Sequence, residues 1–358
     1  MKKGFWRSCA LGLGALAATT ALAQQAFEAG GVVDMPATKI PPSGLVSQAF
    51  RDAYAVHLKD QQTWPFPPPP YDAPKAQWDK FDADADRLVW GEALADAEKR
   101  YPARVEEQWI DGVHVAVVTP ANGIAPENRN RVLIHAHGGG FFAGRGLVAA
   151  KVEALPMAYV ARMKVVTVDY RMAPYFHFPA ASEDVEKVYR HLLKSYKPTS
   201  IGMFGCSAGG ALTAQAVTWF RSRGLPRPGA VGIFCSGPVP YGKGGDSRLW
   251  NGNFAPPPAK PQGYMQGADV NDPRAYPAVS DEAMSQFPPV LLYSGTRAPD
   301  LSPVIAAHAQ FLRLGVDSQL YLQEGGGHGA FVIGERDTPE ARDTLDYMAR
   351  WFGKHLAP

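Results

Sequence analysis

From residue 104 onward, short runs of β-branched and aromatic residues alternate with stretches whose apolar positions recur at three- and four-residue steps. The runs are 105–110 (VEEQWI), 113–120 (VHVAVVTP), 131–137 (RVLIHAH), 164–170 (KVVTVDY), 200–205 (SIGMFG), 230–237 (AVGIFCSG), 289–295 (PVLLYSG) and 318–325 (SQLYLQEG). Each has the length and residue types of a buried or half-buried strand. The first two flank Asp111-Gly112, a pair suited to a tight turn, so an antiparallel hairpin is expected to open the sheet. Within 182–196, Val185, Val188, Tyr189, Leu192, Leu193 and Tyr196 share one face, which predicts an amphipathic helix. Strands alternating with helices predict the α/β class: a mostly parallel sheet with helices on both faces.

Two regions break this rhythm. Residues 24–103 lack sustained strand patterning and contain TWPFPPPPYDAP (63–74), whose prolines favour extended and turn conformations. They are expected to form an arm or partial cap on the α/β domain, 104–358. Within that domain, 238–287 is rich in Gly and Pro and long for a connection, so it is expected to wall a pocket. No internal repeat is visible.

The first 23 residues read differently again. A basic start (Lys2, Lys3, Arg7), an apolar stretch through Leu22 and the small-residue site Ala21-Leu22-Ala23 form the pattern of a secretory signal peptide. The apolar run falls short of the roughly 20 residues that span a bilayer, so no stable span is expected in the mature chain. Export to the periplasm or medium, with cleavage near Ala23, removes three basic and no acidic residues. The formal charge then passes from +2 to −1 (2 − 3), which offers no attraction for nucleic acid or an anionic membrane. The 46% hydrophobic and 20% charged content is that of a globular chain with a large core. Of the three cysteines, export removes Cys9 and leaves Cys206 and Cys235 where disulfides persist. Two cysteines make no disulfide framework, and the spacing leaves their pairing open. The oligomeric state is equally open.

In a sheet of this class the loops after the carboxyl ends of the strands carry the site, and the reactive residues fall there. SIGMFG runs into Gly205-Cys206-Ser207-Ala208-Gly209, a G-x-S-x-G pattern followed by a helix-compatible run. Strand, sharp turn and helix are the setting in which small neighbours push one hydroxyl outward, so Ser207 is the expected nucleophile, with Cys206 behind the apex. A hydroxyl needs a base, and His328 in LQEGGGHGAF follows a strand on a glycine-rich loop. Negative charge forming on a carbonyl oxygen needs preorganised donors. HAHGGGFFAG (135–144) offers bare backbone amides after a strand, so Gly139 and Gly140, with Ala208, are the expected oxyanion donors. A phosphate loop lacks the Lys-Ser/Thr ending here, and His135 with His137 has no third ligand for a metal. No metal or organic cofactor is expected.

Together, His137-Gly138-Gly139-Gly140, DYRMAPYFHFPAA (169–181), GCSAGG (205–210) and EGGGHGAF (324–331) resemble the hormone-sensitive-lipase-like family of α/β-hydrolase esterases, in the family's order. The likeness covers roughly 105–355. It implies the α/β-hydrolase fold, a cap formed by the N-terminal segment and the region before the acid loop, and a His137 that supports the glycine loop without reacting.

Two departures from the family pattern matter. Cys206 stands where a carboxylate usually precedes the nucleophile. In SGTRAPDLSP, Ala298 fills the usual slot of the triad acid and Asp300 follows two residues later. Asp300 is the expected acid, with Glu324 as an alternative. The expected function is a serine carboxylic-ester hydrolase acting on short- to medium-chain acyl esters or lactones. The alternative is a catalytically weakened ligand-binding homologue that has lost its acid at 298.

Overall fold

The computed structural model describes residues 39–65, 67–240, 245–251 and 260–358. The chain divides into two units, Met1–Pro41 and Pro42–Pro358, and every element named here belongs to the second. The expected signal peptide and its cleavage site lie outside the described residues.

Among the described residues, eight strands form one sheet in the order β1-β2-β4-β3-β5-β6-β7-β8. They are β1 (Ala103–Ile110), β2 (Val113–Pro120), β3 (Val132–Ala136), β4 (Lys164–Asp169), β5 (Ile201–Cys206), β6 (Ala230–Phe234), β7 (Val290–Gly295) and β8 (Ser318–Gln323). All eight predicted strands form. Strands β1 and β2 pair antiparallel with Ile110 opposite Val113, β2 pairs antiparallel with β4, and the remaining pairs are parallel. Asp111 and Gly112 both adopt positive φ, 46° and 80°. That is the backbone a two-residue turn needs to match strand twist.

Alternation along the central strands sends side chains to opposite faces, because the side-chain period of a strand is two. Val132, Ile134, Ile201, Met203, Val290 and Leu292 enter a core shared with α5 (Ala180–Leu192), α6 (Ala208–Ser222) and α8 (Leu301–Arg313). Leu133, Phe204, Leu291 and Tyr293 enter the other core, built with α4 (Val148–Ala161) and α9 (Pro339–His355). Both faces are therefore covered, as parallel sheets require. The predicted helix at 182–196 starts two residues earlier and ends at Leu192. Leu193 to Tyr196 complete it as turns, and Pro198 just beyond bars its continuation.

The described part of 24–103 carries three α-helices, α1 (Gln48–Asp60), α2 (Lys75–Ala85) and α3 (Gly91–Arg100), with a short π-helical turn, Asp86–Trp90, between the last two. Trp78, Phe81, Ala93 and Ala97 of this segment join the core beneath α4. Residues 260–287 consist of turns, two single-turn 3-10 helices (Gly263–Met265 and Pro277–Val279) and the short α7 (Asp281–Ser285).

Candidate active site

Parallel chain direction brings the carboxyl ends of β3, β5 and β7 to the same end of the sheet. At the end of β5, Ser207 is held at φ 59°, ψ −121°, between the strand and the first turn of α6. A non-glycine residue there is strained, and such strain persists where surrounding contacts over-determine it. The Ser207 amide donates to Phe234 O at 2.9 Å, and Ser207 O accepts from the amide of Ala211 at 3.0 Å. Glycine is required at 209, where a Cβ would meet the backbone of Ala136 and His137.

The loop after β3 passes beside the elbow: a Cβ placed on Gly138 would lie 3.5 Å from that of Ser207. Gly139 and Gly140 have φ of 114° and 63°, open to glycine and costly for other residues. Gly139 O accepts from the amides of Phe142 and Ala143, at 3.1 and 3.0 Å, which closes the loop on itself. The amides of Gly139, Gly140 and Ala208 make no hydrogen bond to another described residue. His137 is fully buried, and burial holds its imidazole below the usual histidine range. Its Nδ1 lies 2.6 Å from Gly138 O, its ring stacks on Tyr170 with centroids 4.4 Å apart, and Tyr170 Oη donates to His137 O at 2.7 Å. Phe141 stacks on Tyr264 at 4.5 Å, which ties the glycine loop to the 260–287 segment.

His328 Nδ1 lies 2.5 Å from Asp300 Oδ1, and Asp300 Oδ2 accepts from Ser294 Oγ at 2.6 Å. Asp300 is buried at the start of α8, with Ala298 buried behind it. Burial acts against the imidazolium of His328, but the hydrogen bond and charge of Asp300, with the charge of Glu153, outweigh it and raise the group above the ordinary histidine value. The side chain is 38% accessible, so solvent relieves part of the burial penalty and the upward direction stands. The His328 loop crosses the elbow: a Cβ on Gly329 would lie 3.9 Å from Cys206 Sγ. Among the described residues no hydrogen bond joins Ser207 Oγ to His328 Nε2; such bonds are often long before substrate binds. Glu324, the alternative acid, instead accepts from Ser43 Oγ at 2.7 Å and Thr296 Oγ1 at 3.1 Å.

Three features go beyond the sequence reading, the first by settling the cysteine pairing it left open. Cys206 and Cys235 form a disulfide with their Cα atoms 5.2 Å apart, clamping the ends of β5 and β6 beside Ser207. Glu153 of α4 reaches the elbow: its Oε1 accepts from Gly138 N at 2.8 Å, and its Oε2 from Cys206 N at 3.3 Å. The signal was a single carboxylate within the otherwise apolar run VEALPMAYV. Third, α1 packs on the histidine loop, with Phe50 near Gly325 and His57 against Gly334. Burial drives His57 down to about 4, so it stays neutral at physiological pH.

A description of the alpha/beta hydrolase fold matches residues 133–332, more than half of the chain. The chain belongs to that family. Among its α/β-hydrolase relatives, a Mycobacterium tuberculosis protein, LipR, named as an acetyl-hydrolase, is 32% identical over 155 residues, 42% of this chain and 47% of that protein. The chain thus spans about half the length of the curated relatives it matches. Among solved structures, esterase E25 superposes with a TM-score of 0.75 at 26% identity, covering 90% of this chain and 98% of that one. An esterase of the bacterial hormone-sensitive lipase family superposes with a TM-score of 0.70 at 23% identity, covering 87% and 99%, and shares the fold.

Proposed function

We propose that this α/β-hydrolase is a serine carboxylic-ester hydrolase. The observation that carries the reading is the 2.5 Å contact of a buried carboxylate, Asp300, with Nδ1 of His328, on a loop that crosses the strained elbow at Ser207. Asp300 holds the imidazole in the tautomer whose Nε2 is free to accept a proton, and stabilises the cation that forms.

Ser207 Oγ attacks the ester carbonyl carbon as its proton passes to His328 Nε2. The carbonyl oxygen becomes an oxyanion, for which the amides of Gly139, Gly140 and Ala208 are the donors. As the tetrahedral intermediate collapses, the bond to the alkoxy oxygen breaks, and the alcohol leaves with the proton from His328. Water then attacks the acyl-enzyme, His328 takes its proton and returns it to Ser207, and the carboxylic acid departs. Short acyl esters are the proposed substrates, a reading that draws on the acetyl-hydrolase name of a relative. The weakened-binder alternative drew on Ala298, and a carboxylate two residues later on His328 favours the hydrolase. Export is part of the same reading, and the Cys206–Cys235 bridge supports it because disulfides persist in oxidising compartments.

Steady-state hydrolysis of p-nitrophenyl acetate tests the proposal. Ser207→Ala is expected to cut kcat by about 10³-fold or more, and wild-type turnover in that variant rejects it.

A further inference from the structure

The mechanism above leaves one buried carboxylate beside the site without a role. Glu153 lies in the first half of α4, beneath the sheet edge, with its side chain 8% accessible. Three donors converge on it. Oε1 accepts the Gly138 amide at 2.8 Å, Oε2 accepts the Cys206 amide at 3.3 Å, and Oε2 also lies 3.0 Å from Nε2 of fully buried His135. His135 Nδ1 lies 2.7 Å from Thr167 Oγ1 on β4. The network assigns the imidazole hydrogen to Nε2, since a hydroxyl donates to Nδ1 and an ionised carboxylate only accepts.

The two amides belong to the two segments whose relative placement sets the geometry of attack. Gly138 immediately precedes the donor Gly139, and Cys206 immediately precedes the nucleophile. We infer that Glu153 is a positioning residue that fixes the oxyanion loop against the nucleophile elbow, one carboxylate oxygen gripping each segment. The inference rests on the ester-hydrolase reading. Its basis is geometric: oxyanion donors act only when held about 3 Å from where the charge develops, and a loop set adrift by about 1 Å costs up to about 10²-fold. A carboxylate suits the post because all three neighbours are donors. A glutamine offers one acceptor and two hydrogens, so it leaves one amide or His135 facing a donor.

Glu153 also acts on the base through space. Its charge adds to that of Asp300, at the start of α8, in raising His328, and the imidazole of His57 on α1 is also electrostatically coupled to it. Neutralising Glu153 therefore lowers the His328 value and moves the acid limb of kcat/KM to lower pH. A role confined to folding would not move that limb.

The test compares the full chain with Glu153→Gln and Glu153→Asp, using p-nitrophenyl acetate and an organophosphate. Glu153→Gln should lower kcat about 10- to 100-fold while KM changes less than about threefold. Its acid limb should shift to lower pH, and labelling of Ser207 should slow by a similar factor. Glu153→Asp keeps the charge but is too short to reach both amides, so its kcat should fall with the acid limb in place. A folded Gln variant with unchanged kcat and pH profile overturns the inference. So does a Gln variant that fails to fold beside an Asp variant of wild-type kcat, because the residue then serves the scaffold alone. A wild-type protein that neither turns over nor takes label at Ser207 instead sinks the ester-hydrolase reading itself.

Discussion

Replacing Asp300 by asparagine separates the charge of the proposed triad acid from its geometry. In a well-studied serine protease the same exchange costs about 10⁴ in turnover, because the amide enforces the wrong imidazole tautomer. The surroundings of Asp300 predict a different outcome. Its Oδ2 accepts from Ser294 Oγ at 2.6 Å, and that hydroxyl lies 3.3 Å from Gly295 O. A hydroxyl can turn to donate to Gly295 O and accept from an asparagine Nδ2, which leaves Oδ1 to accept from His328 Nδ1. The tautomer survives and only the charge is lost. Two unit charges about 4 Å apart interact by about 4 kcal/mol at an effective dielectric constant of about 20, equivalent to about 10³ in rate. His328 is 38% accessible, so solvent screening makes that an upper figure. Asp300→Asn should therefore lower kcat/KM for p-nitrophenyl acetate about 10²- to 10³-fold. Because Asp300 raises the His328 value, its loss should move the acid limb to lower pH. Adding Ser294→Ala removes the acceptor for Nδ2, frees the amide to flip and should deepen the loss. Activity within threefold of wild type, or an acid limb that stays in place, refutes this account of Asp300.

Removing the disulfide with Cys206→Ala and Cys235→Ala opens a loop of 29 residues' separation, worth about 3.5 kcal/mol in chain entropy. For a unit of this size that is a fall in Tm of about 5 °C, measurable by calorimetry. Organophosphate labelling should persist in the same variant, since the proposed reaction uses neither sulfur. Glu335 is fully buried with neither carboxyl oxygen hydrogen-bonded among the described residues, and burial pushes it up to about 7. With the folded value above the unfolded one, this acid costs nothing below about pH 4.5, destabilises progressively as pH rises, and costs about 3 kcal/mol above pH 7. Glu335→Gln should therefore raise the denaturant midpoint at pH 8 and lose that advantage near pH 4.5. An equal gain at both pH values refutes it.

The strands were legible because a sheet buried on both faces demands unbroken apolar runs, and Ile201–Cys206 or Val290–Gly295 has no other use. The residues of the proposed triad were legible because each follows such a run and glycines mark the turns. The helices of the arm were not. Of α1's residues only Phe50 and His57 are buried while Val56 and Leu58 stay exposed, so no apolar stripe marks the face that packs, and its position is set by contact with the 325–334 loop. The bridge between Cys206 and Cys235 depends on the adjacency of β5 and β6, which spacing does not disclose. Cys206 looked like a missing carboxylate, yet Glu153 brings one from a helix 53 residues earlier onto the amide of that very residue. A lone acid in an apolar helix was its only mark in the sequence.

The central claim is that Ser207 forms the acyl-enzyme with His328 as its base. Incubating the mature protein with a fluorophosphonate and reading intact mass and peptide masses tests it most directly. One adduct per chain is predicted, on the peptide containing Ser207, absent from Ser207→Ala and strongly slowed in His328→Ala. An adduct on any other residue, or ester turnover that continues undiminished in Ser207→Ala, contradicts it.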